Sequence, residues 1–284
     1  MDQVMKLMWA VAGSRHGRGD AHLAKQARQH GAAAFEDILA RLSPEDFDAT
    51  ASEAKDLAAQ GISAVLLGSS EYPESLAELR SPPPLLFYRG PSEMLKMAGI
   101  GVCGSRSASE VGLRAAAACG EITSRLGLAA VSGYARGVDM ATHISALRSG
   151  GSTVIVLPEG IRHFRVKRGD FADAWDPKRA LIVSQFAPSR PWSAGSAMAR
   201  NAVIIGLSLA LVVVEAGEKG GTLAAGTKAL SLNKRVIALE FTEIPRGNVA
   251  LLRRGAIPAK SAPDLSKRIA SLQKDHAGNQ LKLV

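Results

Sequence analysis

The sequence predicts an α/β fold, an extended Rossmann-like parallel sheet with helices on both faces, preceded by a small helical amino-terminal module. Three observations lead to this prediction. Short apolar segments alternate with helical ones, glycine-containing turns follow several of the apolar segments, and 46% of the 284 residues are hydrophobic. Continuous apolar strands that alternate with helices are typical of a parallel sheet covered on both faces.

The predicted strands of the main domain are short and almost wholly apolar. They cover residues 100–103, 128–132, 153–157, 181–184, 210–214 and 236–239. Helical patterns at 109–126, 138–147, 199–206 and 222–232 lie between or after them.

The amino-terminal third has a different pattern. Helical segments at 21–30 and 33–42, and a helix start at Ser43, predict a small helical module. A short strand is expected at 62–67, and the proline-rich stretch 72–90 is interpreted as a connector, because proline is excluded from helix interiors. We therefore expect a helical module with connector at 1–91, a Rossmann-like domain at 92–258 and a basic tail at 259–284, with one exposed helix over 264–274.

Charge and cysteine content restrict the partners and the compartment. The net charge of +9 indicates a polyanionic partner. The alternative interpretation is that the basic residues form two solvated surfaces without a partner. Cys103 and Cys119 form no CxxC motif and have no histidine at metal spacing, so neither a metal nor a disulfide is expected. The amino terminus does not resemble a signal peptide, and the apolar stretch 202–214 is too short to cross a bilayer. We therefore expect a cytoplasmic protein that does not associate with a membrane.

Ligands of such sheets bind beyond the carboxyl ends of the strands, so the turns there are informative. Gly104-Ser105-Arg106 follows the first predicted strand of the main domain, and Ser107 and Glu110 have the spacing of a capping box. That arrangement leaves Arg106 and backbone N–H groups to bind an anion, unless Arg106 pairs with Glu110.

Three further turns carry cations, hydroxyls or amides. Ser132 to Gly137 follows the second strand; its glycines permit close approach of a ligand, and Tyr134 could stack on a base. Arg200-Asn201 offers a donor fork beside an amide, and Lys219 to Thr222 precedes a helix. The candidate phosphate-binding residues are Gly104, Ser105, Arg106, Ser132, Gly133, Tyr134, Arg136, Arg200, Asn201, Lys219, Gly220, Gly221 and Thr222.

Nucleotide cofactors and hydrolytic catalysis fit the sequence less well. The first turn lacks G-x-G-x-x-G spacing, and the 219–222 turn reverses the order of a P-loop, so no cofactor is expected. Ser132 has no G-x-S-x-G context, and Asp139 and His143 lie four residues apart on one predicted helix, where they are interpreted as a pair supporting the preceding loop. Trp175 and Trp192 are interpreted as core residues rather than nucleic-acid platforms.

Several ordered motifs resemble those of one protein family. Gly104-Ser105-Arg106 matches its G-[ST]-R loop, and the stretch 132–139 with His143 is similar to its S-G-G-A-x-G-I-D-x-x-A-H signature. Arg200-Asn201, the Val-Val-Glu-Ala stretch 213–216 and Gly247-Asn248 match three later blocks. On these motifs, residues 72–256 resemble the DprA/Smf DNA-processing family.

The resemblance implies a non-enzymatic protein that binds single-stranded DNA in a basic pocket, dimerises, and in many members hands the strand to RecA. It would place Arg106, Ser132, Gly133, Arg200, Asn201 and residues 219–222 around the DNA phosphates. This implies a role in recombination or in DNA uptake during natural transformation.

The chain departs from the family pattern in several places. Tyr134 replaces a glycine, Ala197-Met198 replaces an aromatic-proline pair, and Ala202 replaces an arginine. The carboxyl-terminal winged helix of many members is not recognisable. We therefore expect DNA binding to be retained more readily than RecA loading.

Two alternatives stay open at this point. One is a nucleotide- or DNA-sensing regulator in a phage-defence or toxin-antitoxin pair, with a cognate toxin as partner. The other is a phosphoribohydrolase of the related cytokinin-activating type, but no carboxylate follows Thr222 where those enzymes carry their catalytic glutamate.

Overall fold

A computed structural model describes the backbone of residues 2–281 and the side chains as far as residue 276. Within it, contacts divide the chain into two units. The first unit contains the chain through Lys96, Leu157–Arg165 and Leu181–Val203, and the second contains Met97–Val156, Val166–Ala180 and the chain from Ile204 onward.

Four helices open the first unit: α1 (Gln3–His16), α2 (Asp20–His30), α3 (Ala33–Ala40) and α4 (Pro44–Ala59). The predicted helix start at Ser43 is confirmed, because Ser43 Oγ accepts a hydrogen bond from Asp46 N at 3.1 Å and Pro44 occupies the first helical position. Helix α1 was not predicted. Its consecutive residues Leu7 to Gly13 are all buried, so it lacks the alternation of apolar and polar faces by which a surface helix is recognised.

The first unit also contains three antiparallel strands, β1 (Ile62–Leu66), β2 (Leu85–Arg89) and β6 (Ala180–Ser184). β2 pairs with both of the others, with Val65 opposite Leu86 and Phe87 opposite Ser184. The interpretation of 72–90 as a connector is therefore wrong at its carboxyl end. The three prolines end at Pro84, so every residue of β2 keeps the N–H that a strand ladder needs. A short helix, α5 (Glu74–Ala77), and 3₁₀ turns at Ser92–Leu95 and Ile161–His163 complete this unit.

The second unit contains a parallel sheet of six strands within its described residues. They are β3 (Gly99–Cys103), β4 (Ala129–Ser132), β5 (Ser152–Val156), β7 (Ala210–Val213), β8 (Arg235–Leu239) and β9 (Ile257–Ala259). Their spatial order is β5-β4-β3-β7-β8-β9. This is the doubly wound order, in which the direction of strand addition reverses between β3 and β7. The predicted Rossmann-like parallel sheet is confirmed; β9, three residues long and containing Pro258, was not predicted.

The helices that accompany this sheet are α6 (Glu110–Arg125), α7 (Val138–Arg148), α8 (Asp170–Ala174), α10 (Gly221–Ser231), α11 (Arg246–Arg253) and α12 (Ala262–Leu281). α6, α7 and α10 agree closely with the predicted helices, α12 is longer than its predicted range, and α8 and α11 were not predicted. Helix α9 (Ala194–Gly206) begins five residues before its predicted start and crosses the division between the units.

The core of the second unit follows the two-residue period of its strands. Ile100 and Val102 of β3, with Val212 of β7, are fully buried in one cluster against α6. Leu265 and Ile269 of α12 join the same cluster and are 2% and 0% exposed. The expectation of a wholly exposed carboxyl-terminal helix is therefore wrong, because residues four apart lie on one face of a helix and this face packs into the core.

Asn248 connects the carboxyl ends of β7 and β8 to α11. Its side chain is fully buried; Oδ1 accepts from Ala216 N at 2.9 Å, and Nδ2 donates to the carbonyl oxygens of Val214 at 3.0 Å and Leu239 at 2.8 Å. One amide therefore satisfies backbone groups that follow two neighbouring strands. These groups would otherwise be buried without partners.

Replacement of Asn248 by alanine should lower the free energy of unfolding by about 2–4 kcal/mol, because it leaves the buried Ala216 N–H without its acceptor. Denaturant unfolding measures this change. Gln29→Ala, on the exposed face of α2, is the control and should change stability by less than about 0.5 kcal/mol. Equal effects of the two substitutions would contradict the role assigned to Asn248.

Candidate nucleic-acid interface

The loops that follow β3 and β7 lie on either side of the point where the strand order reverses, and the loop after β4 lies next to them. Ligands of doubly wound sheets bind at this position. Eleven of the thirteen candidate residues belong to these three loops of the second unit or to the ends of the elements that flank them; the other two are Arg200 and Asn201.

Backbone contacts and one side chain hold the three loops together. Thr222 Oγ1 donates to Gly104 O at 3.0 Å, which joins the start of α10 to the loop after β3. Val138 N donates to Ser105 O at 3.2 Å, which joins the start of α7 to the same loop. Gly137 has φ 76°, and a Cβ there would lie 2.4 Å from Ser105 O, so only glycine fits this contact. The structure thus brings the predicted loops of the second unit into one cluster.

The amino terminus of α6 is capped differently from the prediction. Ser109, not Ser107, is the N-cap, and its Oγ accepts from Gly112 N at 3.0 Å. Glu215 Oε2, from the loop after β7, accepts from both the N and the Oγ of Ser109 at 3.0 Å. The predicted box of Ser107 and Glu110 is therefore wrong, and the chain's own carboxylate occupies the position where an anion was expected.

Arg106 remains available for an anion even though this helix terminus is filled. Its side chain is exposed, and it forms no ion pair with any residue in the described range. The alternative pairing with Glu110 is not present, because the basic partner of Glu110 is Arg114 at 3.8 Å. Arg136, in the loop after β4, is likewise exposed.

The amino terminus of α10 is open, in contrast to that of α6. Its N-cap is Gly220, with φ 106°, and no side chain caps it. Lys219, Gly220 and Gly221 are exposed, so the first N–H groups of α10 lie beside a lysine at the surface. The neighbouring carboxylate, Glu218, pairs with Arg246 at 2.5 Å.

Two candidate side chains after β4 are buried, which corrects the expectations for them. Ser132 is 0% exposed and donates through Oγ to Val102 O at 2.6 Å. Tyr134 is 9% exposed, and its ring packs edge-on against Phe171 with centroids 5.0 Å apart. The Ser132 hydroxyl is therefore not directed at a ligand, and the Tyr134 ring is not available to stack on a base.

Tyr134 holds a basic segment against its loop. Its φ of 63° lies in the left-handed region, which disfavours a residue with a Cβ. Lys167 compensates: its N donates to Tyr134 Oη at 3.0 Å, its Nζ donates to Tyr134 O at 2.8 Å, and its ammonium lies 4.1 Å from the ring centroid. Burial raises the pKa of Tyr134, and the hydrogen bond from Lys167 partly offsets this rise.

Asp139 supports the preceding loop as predicted, since Oδ2 accepts from Ala135 N at 3.2 Å. His143 is fully buried, and its Nδ1 lies 2.6 Å from Thr153 Oγ1. Trp175 is half-buried and contacts the buried Phe171, so it lies at the edge of the core. Trp192 is 51% exposed, and its interpretation as a core residue is wrong.

Arg200 and Asn201 lie in the first unit, on α9. Arg200 is 6% exposed and Asn201 is half-buried. The predicted donor fork is thus largely shielded from solvent.

Sequence reasoning did not single out Glu215, Lys167 or Asn248 as positioning residues. Glu215 and Asn248 do occur in the matched motifs and Lys167 in a basic run, so the signals were present. Their partners lie up to 106 residues away in the chain, which a local pattern does not reveal.

Residues 2–276 contain no group of three or more His, Cys, Asp or Glu side chains that could hold a metal ion. None of the described helices is both long enough and apolar enough to span a membrane.

The strand order and the clustered loops define a doubly wound α/β protein with exposed cations on the loops at the carboxyl ends of its strands. The family profile of DNA recombination-mediator protein A matches residues 63–270, well over half of the chain. The chain therefore belongs to this family of DNA-processing proteins.

Individual relatives agree with this assignment. The DNA processing protein DprA of Streptococcus pneumoniae is 32% identical over 170 residues, which cover 59% of each protein. Its crystal structure superposes with a TM-score of 0.69 and 27% identity, over 93% of this chain and 92% of that one. The DNA processing protein A structure from Helicobacter pylori has a TM-score of 0.65 and 21% identity, over 74% of this chain and 96% of that one, and supports the fold.

Tyr134→Phe should lower the free energy of unfolding by about 1 kcal/mol, because Lys167 N loses its acceptor. Tyr134→Gly should cost about 2 kcal/mol, since loss of the buried ring outweighs relief of the left-handed backbone. Thermal unfolding measures both, and Tyr88→Phe, a half-buried tyrosine of β2, is the control. Greater stability of Tyr134→Gly than of the unchanged protein would show that strain dominates at this position.

Proposed function

We propose that this protein binds single-stranded DNA through the loops that follow β3, β4 and β7, and that it acts without catalysing a reaction. The observation that carries the proposal is the set of exposed cations on these three loops: Arg106, Arg136 and Lys219. None of the three forms an ion pair within residues 2–276, although carboxylates lie nearby in the sequence. Cations without ion pairs on adjacent loops can contact successive phosphates of one nucleic-acid strand.

The neighbouring carboxylates are already engaged, which supports the same proposal. Glu215 accepts from Ser109, and Glu218 pairs with Arg246. Both carboxylates therefore interact with groups of the protein itself and not with the three cations. The open amino terminus of α10 adds backbone N–H groups beside Lys219.

The relatives support a nucleic-acid ligand. The Helicobacter pylori protein binds single-stranded DNA, and the family is named for recombination. By the same resemblance, we propose that the protein forms a homodimer and delivers single-stranded DNA to a recombinase such as RecA, in recombination or in DNA uptake. A nucleotide- or DNA-sensing regulator would use the same loops, and it is distinguished by a preference for a mononucleotide over an oligonucleotide.

The buried position of Tyr134 changes the expected mode of binding. Because its ring does not stack on bases, the proposed contacts are to phosphates, and affinity should depend on salt more than on base sequence. A flexible single strand can follow three loops that a rigid duplex would meet at one or two points. We therefore propose a preference for single strands.

Arg106→Met and Lys219→Met should each weaken binding to a dT oligonucleotide several-fold and reduce the slope of log affinity against log salt by about 0.7. Fluorescence anisotropy over a salt series measures both quantities. Lys228→Met is the matched control, because Lys228 is equally exposed but lies in the last turn of α10, away from the loops. Unchanged affinity and slope in folded Arg106→Met and Lys219→Met proteins would exclude this interface.

Incubation with nucleoside monophosphates should release no free base, because Ala224 and Ala225 follow Thr222 and Glu215 is occupied by Ser109. Chromatography of the reaction products tests this expectation. Base release that is lost in Glu215→Gln would contradict the non-enzymatic proposal and favour the phosphoribohydrolase alternative.

A further inference from the structure

The amino-terminal helices of the first unit form an open groove that the DNA-binding proposal does not use. It has a volume of about 480 Å³ and lies among α1, α3 and the first turn of α4. Its apolar lining includes Trp9, Leu39, Leu42 and Phe47. A groove of this volume is within the range that holds large apolar side chains of a ligand.

Phe47 is the unusual member of this lining. It is 42% exposed, whereas Trp9 and Leu39 are 7% and 8% exposed and form the floor. Leaving a phenylalanine at the surface forgoes apolar burial that is worth roughly 1–2 kcal/mol. A partner that covers Phe47 would recover this energy.

The surroundings of the groove are acidic. Residues 33–60 contain seven acidic and two basic residues in a chain whose net charge is +9. Glu53 and Asp56 pair with Arg15 and Arg162 outside this stretch, which leaves five acidic residues against two basic ones. Glu36 and Asp48 line the groove itself, and Glu45 is exposed in the same helix turn as Phe47. In the described range these three carboxylates form no ion pair, and Arg41, which follows α3, pairs with Asp37 at 3.5 Å.

This charge determines which class of partner fits. Nucleic acids and anionic lipid surfaces would be repelled by the carboxylates. A basic segment with apolar side chains at helical spacing would instead place its apolar residues against Phe47 and Trp9 and its lysines or arginines beside Glu36 and Asp48. Charge and apolar lining therefore select the same kind of ligand.

We propose that this groove is a docking site for a basic amphipathic helix of a protein partner. The groove shares no residue with the loops after β3, β4 and β7, and it presents apolar and acidic groups whereas those loops present basic ones. The proposal thus gives the helical module a function in protein–protein interaction.

A selection of displayed 16-residue peptides on the whole 284-residue chain tests the proposal. Enriched sequences should carry large apolar residues at i and i+4 or i+3 together with lysine or arginine, and synthetic copies should bind in an anisotropy titration. Phe47→Asp should weaken this binding by more than about tenfold, and the double change Glu36→Lys with Asp48→Lys should weaken it and reduce its dependence on salt. Met198→Asp, which alters an equally exposed apolar residue on α9, is the control and should bind as the unchanged protein does.

Four outcomes would overturn the proposal. The first two concern the selection: no peptide is enriched, or the enriched peptides are neutral or acidic. The third is that folded Phe47→Asp binds the peptides as tightly as the unchanged protein does. The fourth is that sedimentation shows Phe47→Asp to be a monomer where the unchanged protein is a dimer, which would make a second copy of the chain the occupant. Binding of the dT oligonucleotide is measured on the same proteins and should be unchanged in Phe47→Asp. Failure of the groove proposal is thereby distinguished from failure of the DNA-binding proposal.

Discussion

The carboxylate of Glu215 joins two loops at the point where the strand order of the parallel sheet reverses. It comes from the end of β7 and accepts two hydrogen bonds from Ser109, the N-cap of α6, which follows β3. A carboxylate at a helix amino terminus is favoured by the helix dipole, and a bond to backbone N–H is stronger when the acceptor is charged. The conformation of the Arg106 loop thus depends on Glu215, which lies 106 positions after Ser109 in the chain.

This interaction also determines which helix terminus is left for a ligand. The terminus of α6 is filled by Ser109 and Glu215, and Val138 N at the start of α7 donates to Ser105 O. Only α10, among the three helices that follow these loops in the described structure, begins with exposed residues and no side-chain cap. The sequence suggested several equivalent anion sites, whereas in the structure two of the termini fix the loops and the terminus of α10 is exposed without a side-chain cap.

The features that the sequence predicted correctly are those with a local physical cause. Buried parallel strands are apolar throughout, and a serine N-cap followed by proline at the first helical position is a local signal, so both could be recognised from a short stretch of sequence. The errors concern residues whose environment is set by distant parts of the chain. Tyr134 lies in a glycine-like turn but is covered by Lys167 and Phe171, and α12 has a basic composition but inserts Leu265 and Ile269 into the core.

Tyr134 shows how one departure from a family pattern affects a second segment. Glycine at this position would adopt a φ of 63° without strain, whereas tyrosine does so at a cost of roughly 1–2 kcal/mol. The cost is offset by contacts that a glycine could not make through a side chain: the hydroxyl accepts from Lys167 N, and the ring lies under the Lys167 ammonium. The backbone of the basic segment that contains Lys167 and Arg168 is therefore tied to the loop after β4. Replacement of glycine by tyrosine thus adds a ring that is buried instead of open to bases, and it fixes the position of additional positive charge. Both effects agree with the proposed interface, which recognises phosphates rather than bases.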